Sequence, residues 1–218
     1  MEVRFHQEVD IPVGKITLHG DLFIPVKARG VVIFSHGSGS SRFSKRNQMV
    51  AKYLQDKNFG TLLFDLLTHE EDMHYENRFD IDLLTKRLTG ATQWLEKFPA
   101  AKDCRIGYFG ASAGAASALK AVAKLPQVGA VVSRGGRPDL AMADLPSVLA
   151  PTLLIVGSLD TEVLQLNEAS LIKLECIKKL ELVEGATHLF EETGKMEMVA
   201  ALAAGWFQKY LTPVTIIK

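Results

Sequence analysis

The chain has 218 residues and a mass of 23.9 kDa, with 47% hydrophobic residues, 23% charged residues and a formal net charge of +0. This length predicts one domain over residues 1–218 with enough apolar material for a buried core. The balanced charge favours neither a nucleic-acid partner nor an anionic membrane. No apolar run reaches the ~18 residues of a membrane span, and the first residues lack a signal-peptide pattern, so we expect a cytoplasmic protein.

The element pattern predicts an α/β fold with a leading antiparallel hairpin. Residues 3–9 and 15–24 form its two strands, joined around Pro12 to Gly14. Apolar strands then alternate with amphipathic helices, which is typical of a mostly parallel sheet covered on both faces. The further predicted strands are residues 30–35, 60–65, 105–109, 130–133, 152–156 and 179–183. The predicted helices are residues 44–57, 80–97, 112–124, 162–174 and 195–210, with Asp80 as an N-cap.

The most informative motif is the G-x-S-x-G pentapeptide centred on Ser112, which follows a predicted strand and opens an alanine-rich helix. This context is typical of a nucleophile elbow, whose tight turn needs glycine two residues before and after the serine. Ser112 is therefore the candidate nucleophile. Taken alone, the pentapeptide could equally be a turn built from small residues.

A serine nucleophile needs a histidine base and an acid that orients the histidine. His188 is the one histidine after Ser112, and Asp160 directly follows the predicted strand over residues 152–156. Both come at strand carboxyl ends, where sites occur in open α/β sheets. Each has a structural alternative, since His188 could be a loop histidine and Asp160 a helix N-cap. The serine, acid and histidine order favours the catalytic interpretation.

The oxyanion of an acyl-transfer intermediate needs backbone donors that are already in place. We predict the amide of Ala113 as one donor and the amide of Ser38 as the other. Gly37 and Gly39 on either side of Ser38 allow that backbone to turn inward, so we include both with the substrate-binding residues. The same glycine-rich segment could instead be an ordinary strand-to-helix loop.

Two arginines, Arg134 and Arg137, follow the predicted strand over residues 130–133. Arg134 is a candidate for binding a substrate carboxylate or phosphate, and the alternative is that it holds its loop to Asp65 or Glu70. The loop over residues 135–151 is expected to contain one short helix.

Neither a metal nor another cofactor is expected from this sequence. Residues 69–74 contain two histidines and three acids but miss the H-E-x-x-H spacing, so we predict an acidic loop without a metal. Cys104 and Cys176 have no metal-ligand spacing and are predicted to be buried free thiols. The glycine-rich segment after residue 36 lacks the Walker A pattern, so nucleotide binding has no support.

The H-G-S-G, G-A-S-A-G, G-S-L-D and G-A-T-H-L-F segments together resemble the α/β-hydrolase superfamily, and within it the small dienelactone-hydrolase-like branch. The resemblance covers nearly the whole chain. It implies an eight-stranded sheet, a minimal cap and a triad of Ser112, Asp160 and His188. Dienelactone hydrolases carry cysteine at the elbow, so the serine here favours ester or thioester chemistry.

The sequence therefore predicts a serine hydrolase that cleaves small carboxylic esters through an acyl-enzyme intermediate. The short interval after residue 133 leaves little room for a lid, so we expect an open pocket and short acyl groups. A thioesterase or peptidase with the same triad is one alternative, and a non-catalytic binding module is the other. The apolar residues 214–217 could pair with a partner chain in a homodimer.

Overall fold

In this computed structural model, which describes residues 2–211, an eight-stranded sheet forms the centre of the protein. The strands are β1 (Val3–Val13), β2 (Ile16–Pro25), β3 (Val31–Ser35), β4 (Gly60–Phe64), β5 (Ile106–Ala111), β6 (Val128–Arg134), β7 (Thr152–Gly157) and β8 (Lys178–Val183). Their order is β1-β2-β4-β3-β5-β6-β7-β8. The apolar tail over residues 214–217, predicted to pair with a partner, lies outside the described residues.

The leading hairpin is confirmed, but it is longer than predicted. β1 pairs antiparallel with β2 through Val13, and β2 pairs antiparallel with β4. Pro12 therefore lies within β1 instead of in the turn. β1 is an edge strand, where the missing N–H of a proline can be tolerated. The turn itself is formed by Lys15 and by Gly14, whose φ of 65° suits glycine.

The remaining strand pairs are parallel, as the alternation of strands and helices predicted. Parallel strands place all their carboxyl ends at one edge of the sheet. The loops that carry Ser38, Ser112, Asp160 and His188 all leave from this carboxyl edge. The topology thus gathers residues that are far apart in the sequence.

Within the described part of the chain, six α-helices connect and cover the strands. They are α1 (Lys45–Asp56), α2 (His69–Asp72), α3 (Ile81–Lys97), α4 (Ala113–Val122), α5 (Thr161–Lys173) and α6 (Lys195–Tyr210). Asp80 caps α3 as predicted, because its carboxylate accepts the N–H of Leu83. The helix predicted from residue 44 begins one residue later, since Ser44 is its N-cap and accepts the N–H of Asn47.

Two predicted loops are more ordered than expected. The acidic segment forms the short helix α2, which begins with a capping box between Thr68 and Glu71. The prediction of a plain loop there was wrong because the Thr-x-x-Glu spacing satisfies two backbone donors at the helix start. The loop after β6 contains two 3₁₀ turns, Pro138–Ala141 and Leu145–Ser147, in place of one short helix.

The hydrophobic core lies on the two faces of the sheet. On one face α3 and α4 pack against strand residues such as Ile33 and Tyr108. On the other face α1 and α6 pack against residues such as Phe34 and Phe109. Because adjacent residues of β3 and of β5 point to opposite faces, each of these strands contributes to both layers. This double coverage fixes the sheet and therefore the positions of its loops.

Candidate active site

The predicted elbow is a sharp turn between β5 and α4. Ser112 has φ of 50° and ψ of −124°, and such strained conformations cost a non-glycine residue about 1–3 kcal/mol. The flanking glycines are needed for space. A Cβ on Gly110 would lie 2.5 Å from the Cα of Ala115, and one on Gly114 would lie 2.1 Å from the carbonyl oxygen of Ser35. The turn therefore holds a half-buried Ser112 at the carboxyl edge of the sheet.

His188 and Asp160 are hydrogen-bonded to each other. Nδ1 of His188 lies 2.6 Å from Oδ2 of Asp160. Asp160 occupies the N-cap position of α5, yet its side chain makes no capping hydrogen bond, so its carboxylate is committed to the histidine. Because a carboxylate only accepts, we assign the ring proton to Nδ1. Nε2 is then left with the lone pair that a general base needs.

The loop that carries His188 is held by hydrogen bonds at both of its ends. The backbone N–H and the hydroxyl of Thr187 both donate to Oε1 of Glu192, at 3.1 Å and 2.6 Å. The N–H of Gly185 donates to the hydroxyl oxygen of Ser158, at 2.8 Å. These bonds tie the loop to itself and to the segment that carries Asp160, and so orient the imidazole.

Ser112 and His188 line the same pocket, which has a volume of about 200 Å³. Of the other predicted residues, Gly37, Ser38 and Arg134 also line it. The remaining lining residues are Ser40, Ser44, Arg46, Asn47, Ala111 and Leu189. The bulky side chains of Phe190 and Met142 are not in its lining.

The serine and histidine are not hydrogen-bonded in this conformation. Over residues 2–211 the His188 ring makes one hydrogen bond, from its Nδ1 to the carboxylate of Asp160. Hydrogen bonds of catalytic groups often form or tighten only around bound substrate. The arrangement therefore brings the two side chains to one pocket.

The two predicted oxyanion donors, the amides of Ala113 and Ser38, belong to segments that adjoin Ser112. Ala113 is the first residue of α4, where backbone N–H groups have no partner within the helix. Ser38 lies in the pocket lining, and a Cβ on the adjacent Gly37 would be 3.1 Å from the Cβ of Ser112. Gly39, in contrast, is absent from the lining and has φ of 66°, so the structure places it in a turn.

His36 anchors the loop that contains Ser38. Its Nδ1 lies 2.9 Å from the carbonyl oxygen of Gly37, and its Nε2 accepts the N–H of Leu66 at 3.0 Å. Burial lowers the pKa of His36 below its ordinary value of 6.5, because desolvation disfavours the imidazolium. A neutral ring with its proton on Nδ1 satisfies both bonds and fixes the loop to the end of β4.

Arg134 and Arg137 have different environments. Arg137 binds the carboxylate of Asp139 through two hydrogen bonds of 2.9 Å and 2.8 Å, so its charge is paired within its own loop. Arg134 is 4% exposed and has no ion-pair partner within residues 2–211. The proposed link from Arg134 to Asp65 is absent, since Asp65 binds Arg42 at 2.6 Å. Arg134 instead lies over the ring of Phe190, 5.9 Å from its centroid.

Sequence reasoning missed the contribution of α1 to the pocket. Arg46 and Asn47 line it from the first turn of α1. Arg46 donates to Glu191 at 2.8 Å, and this bond joins α1 to the loop that carries His188. No local sequence pattern predicts this contact, because the two residues are 145 positions apart.

Other features carry no comparable chemistry. Within residues 2–211 no cluster of histidine, cysteine, aspartate and glutamate could hold a metal ion, and no helix is long and apolar enough to cross a membrane. Cys104 and Cys176 are free and half-buried, and burial raises the pKa of both thiols. A larger cavity of about 620 Å³ lies between β8 and α6, and its lining holds no serine, cysteine or histidine.

Solved structures with the same fold include proteins with hydrolase names. A dienelactone hydrolase from Anabaena variabilis is 49% identical, with a TM-score of 0.93 over 96% of this chain and 99% of that chain. Est1E from Butyrivibrio proteoclasticus is 16% identical, with a TM-score of 0.79 over 93% of this chain and 98% of that chain. An esterase from Pyrococcus furiosus is 19% identical, with a TM-score of 0.78 over 95% of this chain and 91% of that chain. The last two establish the fold alone.

Curated relatives from Mycobacterium tuberculosis carry a different name. Two strains contain a protein named "Putative phosphoribosyl transferase" that is 52% identical over 207 residues, or 94% of this chain and 46% of the relative. The chain thus spans about half the length of the curated relatives it matches. The family model described as "Dienelactone hydrolase family" matches residues 18–212. The chain therefore belongs to the dienelactone hydrolase family, a family of hydrolases with the α/β-hydrolase fold.

Proposed function

We propose that this protein is a serine hydrolase that cleaves small carboxylic esters, with Ser112, His188 and Asp160 as its catalytic triad. One observation carries the proposal. The hydrogen-bonded Asp160–His188 pair and the strained Ser112 elbow lie at one 200 Å³ pocket. The name of the A. variabilis relative supports it, because a lactone is a cyclic ester.

Acylation begins when the hydroxyl oxygen of Ser112 attacks the ester carbonyl carbon. Nε2 of His188 accepts the hydroxyl proton, and Asp160 stabilises the resulting imidazolium. The amides of Ala113 and Ser38 donate to the oxyanion, each contributing on the order of 10²-fold in rate. When the C–O bond to the alcohol breaks, His188 returns the proton to the departing alcohol oxygen.

Deacylation repeats these steps with water as the nucleophile. Water replaces the alcohol beside the acyl-enzyme, and His188 removes its proton as it attacks the carbonyl carbon. Collapse of the second intermediate releases the carboxylic acid and returns the proton to Ser112. The small pocket favours short acyl groups.

Two alternatives keep the same fold. A thioesterase or peptidase would use the same triad on a different bond, and a binding module would retain the elbow without turnover. The transferase name of the M. tuberculosis relatives is not extended to this chain, because it is said of proteins of which this chain matches 46%. We further propose a cytoplasmic protein that acts on a small molecule without a nucleic-acid or membrane partner.

The proposal is tested by hydrolysis of p-nitrophenyl acetate, butyrate and octanoate. We expect the shorter esters to be preferred and Ser112→Ala to lower kcat by at least about 10⁴-fold. Parallel assays with an acyl thioester and a peptide substrate distinguish the alternative bonds. Wild-type rates equal to those of the variant on every substrate would remove the enzymatic proposal and favour the binding module.

A further inference from the structure

Arg134 carries a buried charge that the protein itself leaves unpaired. Arg134 is 4% exposed, and its Nε has no hydrogen-bond partner. No carboxylate within residues 2–211 forms an ion pair with its guanidinium. Buried charges are normally paired, because desolvating an ion is costly. Arg134 lines the pocket that contains Ser112 and His188. An unpaired guanidinium in this position indicates that its partner is a ligand.

The first turn of α1 adds further donors to the same pocket. α1 has twelve residues and no acid in its first turn, so its N-terminal N–H groups present an uncompensated positive end. Arg46 and Asn47 from this turn line the pocket. Nε of Arg46 and Oδ1 of Asn47 are buried without partners, and the Asn47 amide can be oriented either way. Thus β6, through Arg134, and α1, through Arg46 and Asn47, both contribute polar groups without hydrogen-bond partners to this pocket.

Besides Ser112, three further serines line the pocket: Ser38, Ser40 and Ser44. One bidentate guanidinium already satisfies the two coplanar oxygens of a carboxylate. The remaining arginine, amide, hydroxyl and helix donors exceed what a carboxylate can accept. A phosphate group presents three peripheral oxygens in different directions and matches this donor set better.

We propose that Arg134, together with Arg46, Asn47 and the first turn of α1, forms a phosphate subsite beside the nucleophile. This inference rests on the proposed function, and it identifies the substrate as a small carboxylic ester that carries a phosphate group. Glu191 already neutralises part of the charge of Arg46. Arg134 is therefore the main residue that selects for the phosphate.

The test compares three p-nitrophenyl esters that share a leaving group and differ at one end of the acyl chain. They are the butanoate, which ends in methyl, the hemisuccinate, which ends in carboxylate, and the 3-phosphonopropanoate, which ends in a stable phosphate analogue. We expect kcat/KM for the phosphonate ester to exceed that for both other esters by about 10- to 100-fold, the effect of one or two charge-assisted hydrogen bonds.

Arg134→Gln should reduce the ratio of phosphonate to butanoate kcat/KM by at least about 10-fold. Arg137→Gln is the matched control, because Arg137 is three residues away and its charge is held by Asp139. It should leave the ratio unchanged. If Arg134→Gln does not fold, Arg46→Gln should lower the ratio in the same direction.

Binding of inorganic phosphate to the wild type and to Arg134→Gln, measured by calorimetry, separates the subsite from the chemistry. Phosphate binding that depends on Arg134 would support the subsite even if no ester were hydrolysed. Ester hydrolysis without phosphate binding and without preference for the phosphonate would overturn the subsite and leave the serine hydrolase intact. A preference for the hemisuccinate over the phosphonate would overturn the phosphate assignment.

Discussion

Two polar clusters lie at the carboxyl edge of the sheet, and they differ in whether their charges are paired. The paired cluster follows β4 and consists of three ion pairs: Asp65 with Arg42, Glu71 with Arg87 and Asp72 with Arg78. The pocket cluster lies at the carboxyl ends of β5, β6 and β8 and consists of Ser112, Arg134 and His188. In the pocket cluster the arginine has no ion-pair partner among residues 2–211, and the serine backbone is strained.

This difference separates polar residues that stabilise the fold from those that we propose act on substrate. Both clusters are rich in histidine, acid or arginine, and both follow strands. In the paired cluster the carboxylates of Asp65, Glu71 and Asp72 each already have a cation, which leaves little for a ligand to add. In the pocket cluster the unpaired arginine and the strained serine lower the stability of the fold, and such residues often occur at functional sites.

The largest expected effect comes from the Asp160–His188 pair. Asp160→Asn keeps the size of the side chain but can donate to Nδ1, so it favours the wrong tautomer of His188. We expect kcat for a short ester to fall about 10⁴-fold, as measured by steady-state kinetics. Asp139→Asn is a matched control, since Asp139 binds Arg137 outside the pocket. A comparable loss of activity in that control would contradict the assignment of Asp160.

In the paired cluster, the same kind of change should affect stability. Glu71→Gln removes the charge that pairs with Arg87, whose side chain is 9% exposed, and weakens the capping box of α2. Leaving a buried arginine unpaired should lower the free energy of unfolding by about 2–3 kcal/mol, measured by urea denaturation. Glu70→Gln, on the same helix, serves as the control. Equal stability of both variants would show that the pairing in this cluster contributes nothing.

The opposite sign is expected in the pocket cluster. Arg134→Met replaces an unpaired buried cation with an apolar side chain of similar length. We expect the free energy of unfolding to rise by about 1 kcal/mol, while Arg137→Met should lower it or leave it unchanged. Urea denaturation measures both. Clear destabilisation by Arg134→Met would mean that the guanidinium is structural, and the contrast between the clusters would disappear.

The smallest effect concerns His36, which lies between the two clusters. Its pKa is lowered by burial, so below its ordinary value of 6.5 the unfolded chain binds a proton that the native ring resists. The corresponding stability is present above that value and is lost as the pH falls below it. Between about pH 7.5 and pH 5.5 the wild type should therefore lose more free energy of unfolding than His36→Gln. A larger loss in the variant would reverse the sign and refute this account.

Much of the fold could be predicted because its signals are local. The apolar runs of β3 and β7, the period of α3 and the cap at Asp80 each lie within one element. The extension of β1 through Pro12 was missed because proline normally argues against a strand. An edge strand tolerates proline on its unpaired side, and which strand lies at the edge depends on the tertiary structure. The helix α2 was missed although Thr68 and Glu71 have the spacing of a capping box.

The candidate site was predictable where chain order carries information. Ser112, Asp160 and His188 follow the serine, acid and histidine order, and each comes at the end of a strand. Arg46 and Glu191 were missed because their pairing depends on the packing of α1 against a distant loop. The sequence also could not show whether Arg134 has an ion-pair partner. Acids lie near it in the chain, and only the structure shows that they bind other residues.

Active-site labelling shows directly whether Ser112 is the nucleophile. The protein is incubated with a fluorophosphonate, which traps activated serines, and the modified peptide is identified by mass spectrometry. We predict one adduct per chain, on Ser112, that forms much more slowly in His188→Gln. An enzyme that hydrolyses esters while Ser112 remains unlabelled, or one labelled at Ser38 or Ser40 instead, would contradict the account.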